Sequence, residues 1–377
     1  MKYLLLVFSC LFSINLLAQL QITGVVKNED GNPIQAAKVY IDGSTYSTFT
    51  NVNGEFLFNL PIRNYQLIVT KELYDNSFIT INSSTKYPLQ ITLKVENINL
   101  QETVVSPISK EDRKYYLSLF KQYFLGREIA AKHCKILNED DIRFNYDKNE
   151  RILKASARKP LILKNNYLGY EVEYDLIDFD LNFKTNYVLV IGTSNFKEIK
   201  GNQSTINKWN KNRKEAYLGS VEHFVKSVYE NKIQENGFEL KRLIRQENPA
   251  YIKYKEELDN SLVKTFNGPV PPKIITYLIN QPVLIDSIRM QKNDQKFLDF
   301  DGFYSVEFKK AKEDLEFVQK YRKTSLVGNQ LSIFSLNQPL QIFPDGSYQS
   351  PEDIIVEEYW SFKKIADLLP LDYIMSE

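Results

Sequence analysis

From Leu20 to about Glu96, apolar and polar residues alternate in short runs broken by turn-forming residues. The runs "LQITGVV", "AAKVYI", "YSTFTN", "EFLFNL", "NYQLIVT", "SFITIN" and "LQITLKV" predict seven short strands, because a period of two places alternate side chains on one face of a sheet. Phe56 and Phe58 fall on one face and Glu55 and Leu57 on the other, and Leu67 with Val69 repeats the pattern. Reversals are expected at Asp30-Gly31 with Pro33 and at Asp42-Gly43, where glycine reaches positive φ and proline fixes its own. Asn53-Gly54 predicts a hairpin joining "YSTFTN" to "EFLFNL". So many strands in so short a stretch imply a small β-sandwich.

Beyond residue 110 the pattern changes. "KYYLSLFKQYFLG" has apolar residues at 116, 117, 119, 120, 123 and 124, a helical face closed by Gly126. Residues 141 to 196 read as an antiparallel meander of "DIRFNYD", "RILKASA", "PLILKN", "YEVEYDLIDFDLNF" and "YVLVIGT". In its long strand Val172, Tyr174 and Leu176 share one parity, but Ile177, Phe179, Leu181 and Phe183 share the other, which predicts a bulge or bend at Leu176-Ile177. Residues 204 to 236 are the most helical stretch, with Ser204 as cap, Asn236-Gly237 as stop, and Tyr217, Val221, Phe224, Val225 and Val228 as apolar stripe. Downstream, "NGPVPPK" is a break, "KFLDFDGFYSVEF" reads as a hairpin about Asp301-Gly302, and Ser350-Pro351-Glu352-Asp353 as the cap of a helix over "EEYWSFKKIADLLP".

The elements "ITGVVKNEDGNPIQAAKVYIDGS", "TNVNGEFLFNLP" and "YQLIVT" resemble the carboxypeptidase-like regulatory domain over residues 20 to 98. That resemblance implies a seven-stranded, transthyretin-like sandwich of the kind found at the front of many exported and outer-membrane proteins of the Bacteroidota. Gln35-Ala36 and "KELYDNSF" depart from the family's usual turn residues. "AKHCKILNEDDIRFNYD", "PLILKNNYLGYEVEYDL" and "WNKNRKEAYLGSVEHFVKSVYENKIQENGFEL" resemble the region that follows this domain in a group of exported Bacteroidota proteins without an established activity. "LQETVV" resembles a TonB-box-like segment, and a bland extended linker is its alternative reading.

The N-terminus has the layout of a secretory signal peptide: Lys2, an apolar stretch from Tyr3 to Leu17, and the small residue Ala18. Cys10 in "VFSC" is the residue a lipoprotein variant would use. Across 377 residues, 48 basic groups balance 47 acidic ones, which argues against a nucleic-acid surface. Cleavage after Ala18 removes Lys2 and no acid, and leaves Cys134 as a lone cysteine with no intrachain disulfide partner. No later stretch approaches the ~20 apolar residues of a membrane helix.

Candidate chemistry is sparse. A zinc carboxypeptidase needs two imidazoles and a carboxylate on the metal, with the first His and the Glu three residues apart. His133 is followed at that spacing by Ile136 and His223 by Lys226, so zinc chemistry is not expected. Glu171, Glu173, Asp175, Asp178 and Asp180 raise glycoside hydrolysis or calcium, but each alternates with an apolar neighbour, as on a solvated sheet face. Ser220 and His223 share one helical side as a nucleophile and base would, without an elbow or orienting acid. Cys134 reads as a small buried apolar residue. "DFDG" places Phe297 and Phe308 where a calcium loop requires oxygens, and Asp286-Ser287-Ile288 resembles a Bacteroidota O-glycosylation signal.

The expectation is therefore a multidomain exported protein: signal peptide at 1–18, all-β sandwich at 19–98, linker at 99–110 and α+β body at 111–377, with a further subdivision open near 245–272. No catalytic, cofactor or metal residues are assigned. The leading reading is a non-catalytic cell-envelope protein, periplasmic or associated with the outer membrane, that binds an envelope protein or a glycan. A hydrolase with a carboxylate site in the body, and an accessory component of a TonB-linked uptake system, remain open.

Overall fold

A computed structural model of the chain describes residues 19–96, 108–260, 269–293 and 295–375. The expected signal peptide with Cys10, the "LQETVV" segment and most of the expected linker lie outside the described residues. The chain divides into two compact units, residues 1–104 and 105–377.

The front unit contains the expected strands as β1 (Gln19–Asn28), β2 (Lys38–Ile41), β3 (Ser47–Phe49), β4 (Glu55–Pro61), β5 (Tyr65–Thr70), β6 (Ser77–Ile81) and β7 (Leu89–Leu93). They form two sheets, ordered β4-β1-β7 and β3-β2-β5-β6; every pairing is antiparallel except β1 with β7. Phe56, Phe58 and Leu60 of β4 point inward with Leu67 and Val69 of β5 and Ile22 and Val26 of β1. Each such buried side chain contributes about 1.5–3 kcal/mol.

Asn53-Gly54 makes the expected turn but not the expected hairpin. The Asn51 side chain accepts from the backbone N–H groups of Asn53 and Glu55 at 2.9 Å, and Gly54 adopts a φ of 75°. Yet β3 pairs with β2, whereas β4 pairs with β1, so the turn passes the chain from one sheet to the other. Two contacts force this. The Val26 N–H donates to the Gly54 carbonyl at 2.8 Å, docking the turn on β1. Buried Thr50 donates to the Ile34 carbonyl at 2.6 Å and accepts from the Ala37 N–H at 2.8 Å, holding the end of β3 to the other sheet.

The body begins with α1 (Lys110–Leu125), capped by the Ser109 hydroxyl accepting from the Asp112 N–H at 2.9 Å and ended by Gly126 at a φ of 90°. After the short α2 (Glu128–Ala131) come β8 (Cys134–Ile136), β9 (Ile142–Asp147), β10 (Ile152–Ala157), β11 (Leu161–Asn165), β12 (Tyr170–Asn182) and β13 (Tyr187–Glu198). They form one antiparallel sheet, but not in sequential order: β11 and β10 share one edge of the long β12, and β13 runs along the other. Phe120 and Phe124 of α1 pack on Phe144, Tyr174 and Phe179 of the sheet.

The bulge expected in β12 is present. Leu176 pairs with Gly192 and Asp178 with Ile191, which leaves Ile177 unpaired and 52% exposed. One extra residue keeps Val172, Tyr174 and Leu176 on the core side and returns Phe179 and Leu181 to it. Gly192 is required there, because a Cβ would lie 2.4 Å from the Asp175 carbonyl oxygen.

The expected helix over 204–236 is two helices, α3 (Gln203–Tyr217) and α4 (Val221–Tyr229). Asn202, not Ser204, caps the first. The break comes at Gly219, whose φ of 76° costs an L side chain roughly 1–2 kcal/mol. The remaining strands are β14 (Phe238–Glu247), β15 (Ile274–Leu278), β16 (Arg289–Lys292), β17 (Gln295–Leu298), β18 (Phe303–Lys312), β19 (Asn329–Leu336), β20 (Leu340–Ile342) and β21 (Ile354–Glu358), with α5 (Pro249–Asn260) between β14 and β15. They make a five-stranded antiparallel sheet, β15-β14-β18-β19-β21, and a three-stranded one, β16-β17-β20. Phe224, Val225 and Val228 of α4 share a core with Phe238, Phe308, Phe334 and Leu340.

Two further expectations are corrected. Asp301-Gly302 is not a hairpin, since β17 pairs with β16 and β20 while β18 pairs with β14 and β19. Ser350 makes no side-chain cap, and "IIVEE" forms β21 because Ile354 and Val356 alternate toward the core; of the expected helix, Tyr359–Phe362 is α-helical and Ile365–Asp367 a single 3-10 turn.

Replacing Gly192 by alanine is expected to lower the stability of the body by about 1–3 kcal/mol, read from the urea midpoint. Gly328→Ala, where a Cβ meets nothing within 4 Å, serves as the near-neutral comparison.

Candidate functional site

The turn between β11 and β12 leaves three consecutive carbonyls, from Asn166 to Leu168, without a backbone partner among the described residues, while the Gly169 carbonyl accepts from the Ile199 N–H at 3.0 Å. One face of α3 satisfies them, because residues 209, 212 and 213 lie one turn apart on the same side. Trp209 Nε1 donates to the Asn166 carbonyl at 3.0 Å and Asn212 Nδ2 to the Tyr167 carbonyl at 2.7 Å. Arg213 donates through Nε to Leu168 at 2.8 Å and through Nη2 to Gly169 at 3.3 Å. Its Nη1 donates to Glu198 Oε1 at 2.8 Å, and its guanidinium sits 4.1 Å from the centre of the Tyr170 ring. Gly169 has to be glycine, since a Cβ would lie 2.3 Å from Trp209 Cδ2.

Where β13 leaves the sheet for α3, an open cleft of about 420 Å³ forms over these groups, lined by Glu198, Lys200, Ile206, Trp209, Asn210 and Arg213. Lys200 and Asn210 are exposed, while Trp209 shows only 6% of its surface, too little to present a ring face for stacking. The cleft thus offers an ammonium, an amide and a carboxylate beside a small apolar wall, a set suited to hydrogen-bonding a polar, hydroxylated or peptide ligand. None of these residues was singled out in the sequence. The available signal was the W-x-x-N-R spacing, three donors on one helical face, which reads equally as solvated surface.

The sequence-derived candidates take other roles. Ser220 is the N-cap of α4, its hydroxyl accepting from the His223 N–H at 3.1 Å. His223 Nδ1 in turn accepts from the Gly219 N–H at 3.1 Å, and Trp360 Nε1 donates to the Gly219 carbonyl at 2.7 Å. The ring is packed among Tyr217, Phe238 and Phe308. Burial, with Lys310, Lys226 and Lys363 nearby, lowers its pKa to about 4. Ser220 and His223 therefore meet, but as a helix cap.

Cys134 is buried in the body core, and burial, with Asp367 adding to it, pushes its thiol up to about 12. His133 is exposed, stacked 6.4 Å from Tyr167. Glu171, Glu173, Asp175, Asp178 and Asp180 are half-buried between core-facing neighbours, and Asp180 is paired with Lys154 at 2.8 Å. Ser287 is exposed in a short 3-10 turn and donates to the Leu284 carbonyl at 2.6 Å, while Ile288 is fully buried. Among the described residues no cluster of three or more His, Cys, Asp or Glu has metal-binding geometry.

A second polar cluster lies deeper. Arg127, 7% exposed, donates through Nε and Nη2 to the Asp367 carboxylate and through Nη1 to Asp314 Oδ2 at 2.9 Å; the Tyr359 hydroxyl donates to the same oxygen at 2.7 Å. Burial opposes the arginine's charge, but the hydrogen bonds and charges of Asp367 and Asp314 outweigh it and raise the pKa. Beside this cluster Lys363 is driven down to about 8, mainly by burial.

Comparison with known proteins adds the following. The family model described as carboxypeptidase regulatory-like domain matches residues 21–94. A curated relative, "TonB-dependent receptor P39" of Formosa agariphila, is 31% identical over 110 residues; these are 29% of this chain and 10% of that protein, so the match spans about a tenth of the relative's length. Among solved structures, a DUF3823 family protein from Parabacteroides merdae aligns over 50% of this chain and 85% of its own at 14% identity and a TM-score of 0.17. A DUF3823 family protein from Bacteroides ovatus aligns over 49% and 83% at 11% identity and a TM-score of 0.17. A putative membrane-associated protein of unknown function from Bacteroides fragilis aligns over 90% and 95% at 10% identity and a TM-score of 0.17.

Asp367→Asn is expected to destabilise the body by about 3–5 kcal/mol in urea unfolding, because it strands most of a buried guanidinium's charge. His223 binds a proton more readily in the unfolded chain than in the folded one. Its contribution to stability is thus complete above the unfolded pKa near 6.5 and is lost as pH falls from there toward 4. Unfolding free energies measured at pH 7 and pH 5 should fall with acidification in the native chain and fall less in His223→Gln.

Proposed function

We propose, on the premise that residues 21–94 are a carboxypeptidase regulatory-like domain, that this is an exported, non-catalytic cell-envelope protein that binds a protein or glycan partner through its body. The observation that carries this reading is the joining of that domain to a body whose cleft presents Lys200, Asn210 and Glu198 outward. The titratable pair the sequence offered for chemistry, Ser220 and His223, is engaged in capping α4, which favours binding over hydrolysis. The signal-peptide layout of residues 1–18 supports export. No helix among the described residues is long and apolar enough to cross a membrane, which leaves strand-built membrane association open.

A second reading, an accessory role in TonB-linked uptake, is favoured by the partial similarity to the Formosa receptor. The two differ in what the protein captures. Immobilised mature chain, incubated with envelope extract of the native host, is expected to retain a specific protein or glycan, and Lys200→Ala with Asn210→Ala to weaken retention by about tenfold or more. Equal retention by the double variant removes the cleft from the proposal, and retention of an outer-membrane receptor selects the second reading.

A further inference from the structure

No described residue between 244 and 282 belongs to any of the body's buried clusters. The chain leaves β14, runs through α5 and returns as β15, the edge strand of the five-stranded sheet, which among the described residues pairs with β14 alone. An edge strand presents a row of unpaired backbone N–H and C=O groups, and proteins ordinarily guard it with charge, proline or a bulge. β15 has none of these within "IITYL": its register with β14 runs without interruption from Leu243–Leu278 to Glu247–Ile274. Ile274 and Tyr277 are each 44% exposed and Leu278 41%. The opposite edge, β21, is guarded, with Glu357 bound to both Nη atoms of Arg245 at 2.8 Å and Glu358 3.4 Å from Arg322.

We propose that β15 is a self-association edge, on which a second copy of this chain adds its own β15 antiparallel about a two-fold axis at Thr276. The sequence is self-complementary in that register. Ile274 faces Leu278 of the partner subunit, Ile275 faces Tyr277 of the partner subunit, and Thr276 faces its own copy. These are apolar, β-branched with aromatic, and Thr with Thr, all favourable cross-strand pairs, and no like charges meet. Flanking Lys273 falls opposite Ile279 of the partner subunit, so the nearest cation also meets no cation. The pairing satisfies the outer backbone groups of both strands and joins the two five-stranded sheets into one. Five residues a side bury less than the ~1,600 Å² of a standard stable interface, so the association depends on concentration.

Sedimentation velocity over a concentration series of the mature chain is expected to show a monomer–dimer equilibrium. Thr276→Lys and Thr276→Glu each place like charges at the axis and should weaken it roughly tenfold or more, while an equimolar mixture of the two should restore it. Thr276 is exposed, so the unfolding midpoints of both variants should match the native chain. Because Cys134 is buried, Thr276→Cys introduces the accessible thiol, and mild oxidation should cross-link it across the axis while exposed Thr185→Cys stays monomeric. A chain that stays monomeric up to its solubility limit, a dimer indifferent to Thr276→Lys, or a mixture no stronger than its components overturns the proposal.

Discussion

The body depends on one buried guanidinium. Arg127 lies just after α1, and its acceptors Asp314 and Asp367 are 187 and 240 residues further along the chain. A buried charge left without partners costs several kcal/mol, so pairing Arg127 favours a state in which residues 314 and 367 return against the end of α1. Other contacts follow the same closure. Gly126 makes a β-bridge with Lys363, Asn165 Nδ2 donates to the Ala366 carbonyl at 3.0 Å, and Ala366 fills the core beneath α1. Replacing the ion pairs by apolar residues of equal volume need not reduce stability. What the pairs add is uniqueness, since a carboxylate at 367 and another at 314 fit one fork in one register.

Gly219 plays the same part for the second half of the body. Its N–H is taken by His223 and its carbonyl by Trp360, so both polar groups of the helix break are satisfied inside the protein. Trp360 also packs against Phe224 and Phe334, which couples the break to the core of the five-stranded sheet. The β11–β12 turn is held in a related way, by three donors from one face of α3. In each case local hydrogen bonds, such as those of the Tyr167 and Leu168 N–H groups to Asn165 Oδ1, shape the irregular segment, and side chains distant in sequence satisfy its carbonyls.

This explains which parts of the structure were legible in the sequence. Alternation located all the strands of the front unit, and a parity flip located the β12 bulge, because both are set by residues within a few positions of each other. The exit of α1 at Gly126 was legible for the same reason, whereas its Ser109 cap came only with the structure. Strand partnership was not. Asn53-Gly54 makes a hydrogen-bonded turn and Asp301-Gly302 only a bend, yet in each case the flanking strands join different sheets. A turn fixes where the chain reverses; what each strand then pairs with is decided by long-range contacts such as that of Val26 with Gly54. Residues 204 to 236 failed for a related reason, because one glycine in an apolar-periodic stretch reads as a tolerated defect until Trp360 arrives to hold it.

The candidate site shows the same division between local and distant information. Ser and His three apart on a helix fit a nucleophile and base, and equally fit an N-cap and the third residue of the helix, so spacing does not distinguish them. Hydrogen-bond direction does. The Ser220 hydroxyl accepts from the His223 backbone, and the ring nitrogen that a general base would need accepts from Gly219 instead. A pKa near 4 then leaves an imidazole too weakly basic to activate an alcohol at neutral pH. The cleft over α3 inverts the case. Trp209, Asn212 and Arg213 look like an ordinary polar helix face, and only the four carbonyls they bind reveal that this face is committed to the fold. With that face occupied, Lys200, Asn210 and Glu198 are the exposed polar groups of the cleft, and the proposed binding reading rests on them.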